Sequence, residues 1–168
     1  MTIASGENFR ESRSHGPLLT WQAFTVRLVM LSVASIVVAP LLVRYAKTPD
    51  GSDAFYVGIA WQFAVWGVID LGFALNGFRE INPIRKLDPS ERDQVSARKA
   101  ENILRVLKTS RWQNAIWLVL GAITLTAGYL FHSASAAGHG VGVILQAMLL
   151  VMFDRSFSAA LSRSLHPG

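Results

Sequence analysis

The chain has 168 residues, with 16 Lys and Arg against 11 Asp and Glu, 51% hydrophobic residues and no cysteine. That composition excludes a disordered, collagenous, disulfide-stapled or zinc-thiolate protein, and the length fits one domain. The charge is spread unevenly, because Trp112 to Phe153 is a run of 42 residues without a single Asp, Glu, Lys or Arg.

Residues 1–17 form a polar leader with Arg10 and Arg13, expected to be a flexible cytoplasmic N-terminus. Leu18 to Val43 follows with one charge, Arg27. A helix crossing about 30 Å of hydrocarbon needs roughly 20 mostly apolar residues, so this is a first span. Arg10 and Arg13 could instead open a secretory signal with a small-residue site near Ala34 or Ala39. Against that, Arg27 interrupts the apolar stretch, and the stretch is long enough to cross. Ala54 to Phe78 is a second span, again with one charge, Asp70. Residues 18–78 are therefore a first transmembrane hairpin.

Residues 79–111 are a basic connector. Asp88-Pro89-Ser90-Glu91 has the arrangement of a capping box, with proline at the first helical position, and predicts a helix start. Ala100, Ile103, Leu104 and Leu107 then recur at i, i+3, i+4 and i+7, with Arg98, Lys99, Arg105 and Lys108 largely on other faces. This predicts a basic amphipathic helix, lying on the inner leaflet or docked on its own bundle. The long uncharged run holds two further spans within 112–162. They are separated by the small, polar stretch His132 to Gly140, where Gly138 and Gly140 suit a tight turn, and residues 163–168 form a C-terminal tail. The expected architecture is all-α, a four-span transmembrane bundle with a cytoplasmic amphipathic helix. Period-two alternation, which a barrel requires, is lacking.

Lys and Arg near the spans set orientation. The connector, the leader and Arg163 together hold twelve, against two, Arg44 and Lys47, in the first outer loop. Both termini should face the cytoplasm of a bacterial inner membrane. The isoelectric point of about 10.1 reflects the connector, whose partner is an anionic lipid surface rather than nucleic acid. A homo-oligomer or another membrane protein is a further possible partner, since four spans enclose little volume.

The halves resemble each other at an offset of 84: Gly58, Gln62, Asp70, Phe73 and Arg79 correspond to Gly142, Gln146, Asp154, Phe157 and Arg163. Such duplication often marks a site between the repeats. Asp70 lies eight residues before Phe78, about 12 Å of helix, and Arg27 falls at nearly the same depth on a span of opposite direction. Arg155 adjoins Asp154. Two acids and two arginines in one layer predict ion pairs that cancel, fixing how the spans pack. In the alternative, Asp70 or Asp154 is a proton or cation site with Gln62 and Gln146 as neutral ligands. A dry, fully paired cluster favours the first; a cavity touching the carboxylates favours the second.

Other motifs carry less. Gly138 to Gly142 resembles an anion loop, but no strand precedes it and no Lys follows, so Gly138-xxx-Gly142 is better read as close helix packing. His132 and His139 have no carboxylate beside them, so no metal site is expected, and no paired intramembrane histidines offer a haem. Trp61 and Trp66 read as span packing. No cofactor and no catalytic Ser-His-Asp or Cys-His arrangement is indicated. The expected function is a non-enzymatic structural or assembly component, with a proton- or cation-coupled small carrier using Asp154 and Asp70 as the alternative. A lipid-modifying enzyme would need a head group to reach Asp154.

Gly138 to Gly142, then Gln146, Leu149, Leu150, Phe153 and Asp154, together with Trp66-Gly67 and Ala74-x-x-Gly77, resemble an uncharacterised family of small bacterial four-helix membrane proteins. The resemblance spans about residues 54–160 and implies a four-helix membrane fold and no reaction. The chain departs from that pattern at Asp70, where Asn is commoner, and at Ala147, where Gly is usual. Asp154 with Gln146 is then the better candidate for a shared site.

Overall fold

The computed structural model describes residues 16–45 and 53–166. The expected flexible leader 1–17 lies almost wholly outside them, as do Lys47 and the last two residues of the tail. The described residues form four helices: α1 (Gly16–Tyr45), α2 (Asp53–Ile84), α3 (Pro89–Leu130) and α4 (Ala134–Leu165). All four are long and apolar enough to cross a membrane.

A repeating seam in each helix explains the assembly. In α1, Leu18, Trp21, Thr25, Leu28, Ser32, Ser35 and Ala39 are buried, at alternating spacings of three and four. In α3, Ala100, Leu107, Asn114, Gly121 and Gly128 are buried at every seventh position. Spacings that average 3.5 residues hold one stripe toward a neighbour and favour slightly inclined, left-handed packing. Thr25 and Ser32 stay compatible with that stripe because their hydroxyls donate to the carbonyls of Trp21 and Leu28, at 3.0 and 2.6 Å.

The helices run alternately up and down. α1 packs on α2, α3 on α4, and α2 on α4 joins the two hairpins, whereas α2 and α3 barely touch. At the end carrying Gly16, the α2–α3 turn and Leu165, an apolar core gathers Leu18, Trp21, Ile81, Ile84, Ala100, Leu107, Phe157 and Leu161. Phe24 stacks on Phe157 there, with ring centroids 3.7 Å apart. The apolar face predicted around Ala100 and Leu107 thus docks on its own bundle, with Ile103 and Leu104 against the same core.

Two expectations are corrected. The connector helix is not a separate element, because the helix that starts at Pro89 runs 42 residues to Leu130, about 63 Å. Ser90 to Leu120 contains neither Gly nor Pro, so nothing interrupts the hydrogen-bond ladder where the charged stretch meets the apolar one. Asp88 occupies the cap position but makes no side-chain cap hydrogen bond. The turn between α3 and α4 is also tighter than His132 to Gly140. It uses Phe131, His132 and Ser133, with His132 at φ 51°, and Ser133 Oγ accepts from the Ala136 amide. Gly138 and Gly140 lie inside α4, where they serve contact between helices.

Candidate functional site

The end of the bundle holding the α3–α4 turn is closed by glycine. A Cβ placed on Gly58 would meet the Ser135 carbonyl oxygen at 2.6 Å, and one on Gly142 would meet Gln62 Cβ at 2.7 Å. One on Gly138 would run into the Phe55 carbonyl. These positions lie where α2 and α4 cross, and no side chain other than hydrogen fits between the backbones. Gln62 and His139 join the same two helices through a 3.0 Å hydrogen bond between Nε2 and Nδ1.

Past that closed zone the bundle opens. A cleft of about 940 Å³ lies between α2 and α3, floored by α4 and α1. Two contacts bridge its walls. Trp66 on α2 and Trp117 on α3 meet edge to face at 5.2 Å toward the glycine-closed end. Lys99 Nζ on α3 bonds Glu80 Oε2 on α2 at 2.8 Å toward the other, and Asn76 donates to Glu80 Oε1 at 3.2 Å. Aromatic rings contribute to the lining, among them Phe24, Phe73, Phe153 and Phe157, beside aliphatic and polar side chains.

Both Asp70 and Asp154 line this cleft. Asp70 sits in the α2 seam between Gly67 and Ala74, is only 5% exposed, and has no hydrogen-bond partner among the described residues. Asp154 is better held. Its Oδ2 accepts from Ser110 Oγ at 2.7 Å and Asn114 Nδ2 at 2.9 Å, and Arg111 acts on it electrostatically. The field of Asp154 reaches Asp70, so the two carboxylates oppose each other within one enclosure.

The expected cancellation by arginine does not occur. Arg27 and Arg155 are exposed, and neither forms an ion pair with Asp70 or Asp154. Consecutive helical residues point about 100° apart. Because Leu28 belongs to the buried seam of α1, its neighbour Arg27 is turned away. Arg155 is likewise turned away by Asp154 facing the cleft. The structure also leaves the glutamines apart from the acids: Gln62 is engaged with His139, and Gln146, 1% exposed, has both amide atoms unpartnered. Neither lines the cleft. Of the connector cations, Arg98, Arg105 and Lys108 are exposed and Lys99 is committed to Glu80. Among the described residues no group of three or more His, Cys, Asp and Glu could hold a metal ion.

A family model described as Family of unknown function (DUF6992) matches residues 27–155. The chain belongs to that family. No curated protein and no solved structure matches it. In this DUF6992 member the matched stretch contains both cleft acids, the Ser110 and Asn114 donors and both bridges between α2 and α3, while the apolar core residues Phe157 and Leu161 fall beyond it.

Sequence reasoning missed Ser110, Asn114, Trp117 and the Glu80–Lys99 pair. A signal for the first two was present: Ser110 and Asn114 are four residues apart, so one helix face enters the apolar run carrying two adjacent hydrogen-bond donors.

Proposed function

We propose that this DUF6992 chain is a multi-pass protein of the cytoplasmic membrane, with both termini inside, that carries a cation in the cleft between α2 and α3. The single observation behind this reading is that Asp70, buried and without a hydrogen-bond or ion-pair partner among the described residues, shares a cavity with a second carboxylate. A charged group at such depth is costly unless it is paired, so the pair of acids has a standing demand for a positive charge. A proton or a bound cation meets that demand, and one can replace the other. Exchange of the two is the chemistry of a proton-coupled carrier: the arriving cation displaces a proton from the acid pair, and the returning proton displaces the cation. The aromatic lining suits an organic cation, which gains from ring faces as well as from carboxylates. The likeness of the two hairpins supports the carrier reading, since sites between repeats are where alternating access is organised.

The basic count supports the orientation, with the closed glycine zone outside and the acid-bearing cleft in the inner half. Exposed Arg98, Arg105 and Lys108 then lie next to the inner leaflet, where they attract anionic head groups.

The test is proton efflux from acid-loaded proteoliposomes containing an entrapped pH dye, on adding a short or a long alkyltrimethylammonium salt. Wild type should show saturable efflux with at least one of them, and Asp70→Asn and Asp154→Asn should show none. Efflux no faster than from protein-free vesicles with every member would overturn the carrier reading.

A further inference from the structure

The cleft is closed toward one end, and what remains open is its flank. α2 and α3 meet only sparsely along it, and their two bridges, Trp66–Trp117 and Glu80–Lys99, stand 14 residues apart on α2, about 21 Å. Between them the rim carries exposed apolar side chains, with Phe73 and Val106 each 67% exposed and Ile116 57%, and exposed Asn76, Asn102 and Gln113 interrupt them. In a chain surrounded by lipid, the part of that flank around Phe73 and Ile116 opens on acyl chains, and the part around Val106, between Arg105 and Lys108, opens at the depth of the inner head groups. An occupant passing Phe73 and Ile116 must therefore carry hydrocarbon, yet Asp70 behind them calls for positive charge.

Resting on the carrier reading above, we propose that the cleft is a lateral portal to the inner leaflet, and that its ligand is a single-chain cationic amphiphile of the alkylammonium class. The ammonium group sits between Asp70 and Asp154 against the rings of Phe24 and Phe153, and the hydrocarbon tail leaves between α2 and α3. The charge complementarity selects the head, and the apolar rim selects the tail. The portal also explains why the Glu80–Lys99 pair joins α2 and α3 across an otherwise sparse contact: it braces the two walls at the water side of the opening.

The experiment uses the full chain in lipid nanodiscs and a long-chain alkyltrimethylammonium bearing a diazirine in its tail, with the labelled peptides mapped by mass spectrometry. Labelling should concentrate on the rim, around Phe73, Val106 and Ile116. A neutral probe with the same tail should label lipid-facing positions on all four helices without that preference. In wild type, non-photoreactive dodecyltrimethylammonium should remove the rim labelling at concentrations at least about tenfold below those of tetramethylammonium. The Asp70→Asn/Asp154→Asn double variant, confirmed helical by circular dichroism, should lose it. If tetramethylammonium competes as well as the long-chain salt, the ligand arrives from water and the portal is wrong, while the cation site stands. If neither salt competes and the cationic and neutral probes label alike, the cation site and the portal both fail.

Discussion

At the scale of single residues, the instructive contrast is between two acids at corresponding positions of the repeat. Asp154 has Ser110 and Asn114 as donors and the field of Arg111, whereas Asp70 has neither donor nor cation among the described residues. Their replacements should therefore differ. Asp70→Asn removes a buried unpaired carboxylate and should raise the thermal midpoint in detergent, by roughly 1–3 kcal/mol of stability, while losing the cation response. Asn114→Ala takes a donor from Asp154 and should destabilise by a similar amount. Were Asp70 one half of a structural ion pair, its replacement would destabilise instead, and a thermal-shift measurement decides the sign. The sequence announced both acids as rare intramembrane charges, but their partners were not legible. By sequence alone, shared depth brings Arg27 to the acids and adjacency brings Arg155 to Asp154. Depth says nothing about azimuth, and the 3-4 seam through Leu28 turns Arg27 outward.

At the scale of elements, the helices were legible because the apolar runs are long and uninterrupted, and less so where two properties overlap. Charge ends at Arg111 but the helix does not, since helix continuity is set by backbone propensity and not by polarity. Spin labels at exposed Arg98 and Ile116 should then report about 27 Å between backbone positions, the length of one straight α3. A markedly shorter distance would mean a bend near Arg111, with the basic segment lying along the membrane surface. The glycines of α4 teach a related lesson. Gly138 and Gly140 suit a turn by sequence, and Gly138 with Gly142 also suits close helix packing; a turn is already available at His132 and Ser133, and the structure uses these glycines for contact with α2 and α3. Gly138→Ala should force α2 and α4 apart and cost about 1–3 kcal/mol or more, seen as a lower thermal midpoint with the far-ultraviolet helical signal retained.

At the scale of the whole molecule, glycine contacts draw the helices together at one end, an apolar core closes the other, and the cleft that both acids line lies between them. A bundle built only for assembly has no need of that cleft, since closing α2 onto α3 would bury more apolar surface. The 84-residue repeat hinted that the two acid-bearing helices share one site, and the structure brings α2 and α4 together with both acids on the same cleft. The gap between α2 and α3 could not be read in advance, because it depends on which faces of four helices are left over once the seams are satisfied. What most directly tests the claim that this cleft holds an available carboxylate is modification of the full chain by a lipid-soluble carbodiimide, which adds to protonated carboxyl groups in apolar surroundings, followed by peptide mapping. The account predicts labelling at Asp70 that a long-chain alkyltrimethylammonium prevents. Absence of label at Asp70, or label that the cation leaves unchanged, would contradict it.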